Sequence, residues 1–212
     1  MKKEVSYNQV NTLNWKRQAH YDFFRSFEKP FWGVTTQLNC TKAFAYCKTY
    51  NVSFFCYYLY LSLRAANEVQ AFRYRIHDNN VLEYHEIGGS ITVIRPDETF
   101  GFAYFDFYDE FERFQVELKK QINLEKQSRG LQTDANCRDV IHYSVLPYIS
   151  FTQMEHALYG GQDNGIPKIT FGKYLFQNDQ ILLPMSIHVH HALCDGIDVG
   201  KFVTTFQGYL EM

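Results

Sequence analysis

The sequence predicts an α+β protein in two layers, a largely antiparallel or mixed sheet backed by helices. Two observations carry this. Helical and alternating apolar patterns interleave along the 212 residues, yet most alternating runs come as neighbours joined by short polar turns, the mark of hairpins. One helical run, Ser53 to about Val69, is apolar almost all round and so belongs in a core. No repeat, low-complexity tract or linker interrupts the pattern, and one domain over residues 1–212 is expected.

Taken in order, residues 14–27 read as a helix with Asn14 as cap and Trp15, Phe23 and Phe27 near helical spacing. Pro30 and Gly33 close it, and Val34 to Leu38 is a short strand. Thr41 caps a second helix reaching Tyr50, and the buried helix from Ser53 follows. Phe72–Ile76 and Val81–Ile87 pair across His77-Asp78-Asn79-Asn80, and Ser90–Ile94 and Thr99–Phe107 repeat the form. Asp109 opens an amphipathic helix with Phe111, Phe114, Leu118 and Ile122 on one face. A polar loop spans Ser128–Asn136, strands are expected at Val140–Tyr143 and Tyr148–Thr152, and a loop containing Gly160, Gly161 and Gly165 follows. Lys168–Leu175 and Gln180–His190 pair across Gln177-Asn178-Asp179, and a last helix runs from about Val199 to Leu210.

Composition narrows the function. A net charge of −2 offers no basic footprint for nucleic acid or an anionic membrane. No apolar run approaches the ~20 residues of a spanning helix. The opening Met1-Lys2-Lys3-Glu4 leads into polar residues rather than an export signal, so a cytoplasmic location is expected. The cysteines are five, lack CxxC spacing and read as reduced thiols, and structural zinc is not expected. Nineteen Phe and sixteen Tyr point to aromatic-lined cavities or interfaces as well as a core.

The chemistry concentrates in Ile187-His188-Val189-His190-His191-Ala192-Leu193-Cys194-Asp195-Gly196. Strand alternation puts His188 and His190 on one face, while His191 turns away or ends the strand. Three readings compete. An imidazole with an unperturbed pKa near ~6.5 can draw the proton from an alcohol, and Asp195 can fix the local geometry if a cation accompanies it. His188 and His190 have the i, i+2 spacing of metal ligands, but spacing picks out no third ligand. Cys194 could serve as a nucleophile, though a buried Cys is more often a small hydrophobe. No Gly-x-Ser-x-Gly elbow supplies a hydrolase serine.

The string His-His-Ala-Leu-Cys-Asp-Gly resembles the active-site signature of the type A chloramphenicol O-acetyltransferases. Further stretches resemble that family in order: Asn14-Trp15-Lys16-Arg17 with His20, Phe72-Arg73-Tyr74-Arg75-Ile76, Thr99-Phe100-Gly101-Phe102, Ile141-His142-Tyr143-Ser144, Leu146-Pro147-Tyr148-Ile149-Ser150-Phe151 and Pro167-Lys168-Ile169-Thr170-Phe171-Gly172-Lys173-Tyr174. The resemblance spans nearly the whole chain. It implies the fold of CoA-dependent acyltransferases, acetyl-CoA as co-substrate, no metal, and a homotrimer with sites between subunits. It further implies His191 as general base, Ser144 as donor to the tetrahedral oxyanion and Thr170 as holder of a nearby water. By the same resemblance Asp195 pairs with Arg17 as structural support. Tyr148, Lys173 and Tyr174 would bind CoA, and Phe24, Phe31 and Phe100 the acceptor.

Departures from the family pattern concern the acceptor. Phe24 stands where many members carry a Tyr that bonds the drug, Phe31 and the neighbouring Trp32 are bulky, and Asp198 replaces a frequent His. Tyr148 stands where many relatives have Trp, whereas Phe100 keeps the family's aromatic pocket residue. The expected function is acetyl transfer to a chloramphenicol hydroxyl, inactivating the antibiotic. The alternatives are the same chemistry on another hydroxylated small molecule, or a catalytically silent small-molecule-binding trimer.

Overall fold

The computed structural model describes residues 5–131, 133, 137–157 and 164–212. The first four residues, part of the expected polar loop, and Gly160 and Gly161 lie outside them. The chain begins with β1 (Tyr7–Gln9), a 3-10 turn at Thr12–Asn14, α1 (Gln18–Phe24), β2 (Phe31–Asn39), α2 (Thr41–Thr49) and α3 (Phe54–Glu68). After a second 3-10 turn come β3 (Tyr74–His77), β4 (Asn80–Tyr84), β5 (Gly88–Ile94), β6 (Phe100–Phe105) and α4 (Phe111–Lys126). The last elements are β7 (Val140–Val145), β8 (Lys168–Phe171), β9 (Leu175–Gln177), β10 (Gln180–His190) and α5 (Gly196–Leu210).

The main sheet runs β2-β10-β8-β7-β5-β6, with β9 also on β10, and a small sheet runs β1-β4-β3. The β5–β7 and β7–β8 pairs are parallel and the other pairs antiparallel, so the sheet is mixed, as predicted. Its two faces differ because side chains alternate along each strand. Ile91, Tyr143, Ile169, Phe171 and Ile187 point into the core against α3 and α5, where Tyr58 and Phe206 meet Phe171. The opposite face is polar. Thr35, Ser186, Thr170 and Ser144 stand in one register row, and Gly33, His188, Lys168, His142 and Ser90 in the next.

Arg75 ties the small sheet to the large one. It is fully buried, and its guanidinium donates to the carbonyls of Phe72, Tyr74, Arg138 and Val140. Burial pulls its pKa down to about 10, still charged at neutral pH, and the four carbonyls supply the solvation that the core denies.

Several expectations are corrected. The helix over 14–27 is instead a 3-10 turn, capped by the Asn11 side chain, followed by the short α1. Trp15 is extended between them because its ring packs on Tyr21 and Tyr74, which a helical position would not reach. Tyr148–Thr152 is not a strand: the chain turns after Leu146, whose carbonyl accepts from Ile149, and crosses Gly172. A Cβ at Gly172 would lie 3.0 Å from the Ile149 carbonyl oxygen, a tight approach that glycine eases, and the expected strand Lys168–Leu175 is broken in two here. Phe72 falls in the 3-10 turn rather than in β3. The final helix begins three residues early, at Gly196, because Asp195 caps it.

Candidate functional site

β10 delivers the histidine string to the end of the main sheet. His190, its last residue, is buried, and its Nδ1 accepts the Ala192 N–H at 3.2 Å. Burial, with His191 beside it, lowers its pKa to about 4. Cys194 is buried and burial raises its thiol well above the ordinary value, so it supplies no thiolate at neutral pH.

His191 leaves the strand. Its backbone N–H donates to the Pro30 carbonyl at 2.8 Å, anchoring the turn to the residue just before β2. The imidazole stacks flat on Phe24, centroids 3.8 Å apart and planes 9° apart, with Trp32 tilted at 5.6 Å. Its Nδ1 is buried with no hydrogen-bond partner among the described residues, so stacking and the backbone bond hold the ring.

The turn after His191 is held from the N-terminal segment. Arg17 Nη1 donates to Asp195 Oδ2 at 2.6 Å, and Nη2 to the His191 carbonyl at 3.2 Å. Asp195 Oδ1 accepts the Ile197 N–H while Asp198 accepts the Asp195 N–H, a reciprocal capping box at the start of α5. Asp198 also lies 3.6 Å from Arg17, which accounts for the acidic side chain two residues after Gly196. Burial tends to raise the Asp195 pKa, but the Arg17 and backbone hydrogen bonds together hold it below the usual carboxylate value.

Ser144 and Thr170 stand side by side in the β7–β8 register. Ser144 Oγ lies 3.4 Å from Thr92 Oγ1, and Thr170 Oγ1, fully buried, lies 3.2 Å from His156 Nε2. Ser144 opens on a cleft of about 490 Å³ that Phe100, His142, His156 and Lys168 also line. Phe31 lines a neighbouring cleft of about 530 Å³ that shares His156 and includes His188. Desolvation lowers both His142 and His156 to pKa values of about 4, with Lys168 adding to the effect.

These shifts predict a pH dependence. For a histidine whose folded pKa is depressed, the unfolded chain binds the extra proton between pH ~6.5 and ~4, so stability falls as pH drops through that window. With His142, His156 and His190 all depressed, each contributes at most about 1.4 kcal/mol per pH unit. Thermal melting should fall steadily from pH 7 to pH 4, and a flat Tm over that range counts against their neutral burial.

The predicted site residues thus fall into two sets. Thr170 pairs with Ser186, five residues before His191. At ~3.4 Å per strand residue, His191 lies about 17 Å farther along the sheet than Ser144 and Thr170. One chain brings Ser144, Thr170 and Phe100 together, and separately His191, Phe24, Arg17 and Asp195. A third cavity, of about 860 Å³, is lined by Lys173 and Tyr174 with Lys48, Phe44, Phe54 and Pro147. Tyr148 is 85% exposed and does not line it.

Sequence reasoning missed His142, His156, Lys168 and Lys48. Strand parity held a signal for two of them: His142 and Lys168 each precede a predicted site residue by two and share its face. His156 carried none, because it comes from irregular chain.

Known proteins are similar to this chain over nearly its whole length. A family profile described as "Chloramphenicol acetyltransferase" matches residues 5–207. A chloramphenicol acetyltransferase of Escherichia coli is 26% identical over 211 residues, 99% of this chain and 96% of its own. One from Proteus mirabilis is 25% identical over 210 residues, 99% and 97% of the two chains. Among solved structures, a chloramphenicol acetyltransferase superposes with a TM-score of 0.86 at 27% identity, covering 97% of this chain and all of that one, 100%. A probable dihydrolipoamide acetyltransferase from Listeria monocytogenes shares the fold alone, with a TM-score of 0.67 at 12% identity over 99% of this chain and 94% of its own.

Proposed function

Because the chain belongs to the chloramphenicol acetyltransferase family, we propose that it is an acetyl-CoA-dependent O-acetyltransferase. It moves acetyl to a chloramphenicol hydroxyl, inactivates the antibiotic in the cytoplasm, and acts as one domain over residues 1–212. His191 Nε2 takes the hydroxyl proton as the oxygen attacks the thioester carbonyl directly, with no acyl-enzyme. Ser144 donates its hydroxyl proton in a hydrogen bond to the tetrahedral oxyanion, and Thr170 holds a water beside it. Collapse breaks the C–S bond, and the imidazolium returns its proton to the departing thiolate. Phe24, Phe31 and Phe100 supply aromatic walls for the acceptor. Lys173 and Tyr174 offer a cation and a ring to CoA in the cavity of about 860 Å³, and Tyr148, next to Pro147 of that cavity, adds a ring from outside.

The observation that carries this reading is the division of the site. Along the strand register His191 stands about 17 Å beyond Ser144 and Thr170, too far for its imidazole to act beside both hydroxyls. Each working site therefore joins His191 of one subunit to Ser144 and Thr170 of the next, in a closed homotrimer. Ser144→Ala alone should lower kcat by about 10²–10³. Co-expressed with His191→Ala chains in equal amounts, it should recover roughly a quarter of wild-type activity, because that fraction of all interfaces pairs two intact halves. No recovery in mixed oligomers, with each variant folded, would place both groups in one chain and end the shared-site reading.

Phe24 favours a second reading, the same chemistry on a different hydroxylated molecule. It lacks a hydroxyl, and one face of its ring is occupied by His191. A loss of drug acetylation with retained turnover of other alcohols would select it.

A further inference from the structure

The transfer mechanism leaves one charged group of the acceptor cleft unused. Lys168 lies on the same face as Thr170, two residues earlier on β8, or about 7 Å along the strand. Its Nζ donates to the Ala157 carbonyl at 3.4 Å and sits 4.8 Å from the centroid of the Phe31 ring. No carboxylate forms an ion pair with it among the described residues. The register sets His142 on one side of it and His188 on the other, and the His156 ring meets His188 edge-on at 4.8 Å.

Around this ammonium the cleft offers hydrogen-bond donors. Ser90, Thr92, Ser144 and Asn164 line it, and neither Asp nor Glu does so among the described residues. Glu155 lines the neighbouring cleft instead. A cation on the cleft wall with no ion-pair partner among the described residues, beside neutral imidazoles and hydroxyls, is placed to take an anion as its counter-charge. Uncharged chloramphenicol brings none.

We propose that this cleft binds the anionic group of a hydroxyl-bearing acceptor, a carboxylate or a phosphate monoester, with Lys168 as counter-charge. The protein then acetylates small hydroxy acids or hydroxy phosphates in addition to neutral alcohols. Anion binding stands on the cleft itself, whereas acetylation of the bound acceptor rests on the O-acetyltransferase reading. The spacing suits a compact molecule: with the anion at Lys168, a hydroxyl a few bonds away lies beside Ser144 and Thr170.

Two matched pairs test this, 3-phenyllactate against its methyl ester and glycerol 3-phosphate against glycerol. Each is assayed for thiol release from acetyl-CoA with wild type, Lys168→Met and Lys168→Arg, and 3-phenyllactate and glycerol 3-phosphate binding are measured by calorimetry. In wild type, kcat/KM should favour the charged member of at least one pair by about tenfold or more. Lys168→Met should erase that preference chiefly through KM, and Lys168→Arg should keep it. The pair that responds identifies the anion as carboxylate or phosphate. Preference for the neutral member in both pairs, or a preference unmoved by Lys168→Met, overturns the proposal. If chloramphenicol releases thiol but calorimetry detects neither anion, the anion site alone is lost. Lys168-dependent anion binding with no thiol release from any acceptor ends the transferase reading and leaves the anion site intact.

Discussion

Replacing His191 with alanine is expected to lower kcat for thiol release by about 10²–10⁴, the usual worth of a positioned general base. The argument rests on which groups can take the hydroxyl proton. Cys194 is buried and held as a thiol, and His190 is buried with its Nδ1 engaged by the Ala192 N–H. His188 remains on the polar face, but its pKa is lowered by desolvation, and Ser186 Oγ lies 3.4 Å from its Nδ1. Of the three histidines in the string, only His191 lies outside β10. The loss should fall on kcat, with the KM for acetyl-CoA little changed, because the cavity holding Lys173 and Tyr174 is lined by other elements. Steady-state kinetics on the folded variant decide the matter, and activity within threefold of wild type would remove His191 from the base role.

Asp195→Ala is expected to be the most damaging change to stability near the site. Asp195 caps α5 and pairs with Arg17 at 2.6 Å, and the two side chains are 31% and 17% exposed. A lost cap costs about 1 kcal/mol. The pair lies between exposed bridges, at about 0–1 kcal/mol, and buried ones, where losing a partner costs about 3–5 kcal/mol. A combined loss of about 2–3 kcal/mol corresponds to a Tm lower by about 5–10 °C for a chain of this size. Asp195→Asn keeps a capping oxygen but removes the charge, so it should lose less. Both variants should lose activity even where folded, since Arg17 also holds the His191 carbonyl. The sign of the pH effect follows from the depressed Asp195 pKa: its contribution is present above the ordinary carboxylate pKa and disappears as pH falls through the folded value. Differential scanning fluorimetry of the two variants checks the order, and a Tm for Asp195→Ala within 1 °C of wild type contradicts the coupling.

Much of this was legible from residue order. The apolar run of α3, its Ser53 cap, the amphipathic α4 and the limits of β10 all follow from local periodicity and capping chemistry, which report on near neighbours. The histidine string was legible too as a candidate site, since its residue types are rare in that arrangement. The segments that misled were those whose conformation answers to distant partners. Trp15 is drawn out of the expected helix by Tyr21 and Tyr74, and Tyr148–Thr152 is turned aside where it crosses Gly172.

By itself the sequence determined the class of fold and most of the helices and strands that build it, and it singled out His191, Ser144 and Thr170 as candidates for the chemistry, because each depends on a few adjacent residues. Only the tertiary structure decided how those residues meet. Strand register between segments far apart in the chain is set by packing rather than by local pattern. That register puts Ser144 beside Thr170, stands Lys168 between His142 and His188, and leaves His191 about 17 Å farther along the sheet than the two hydroxyls.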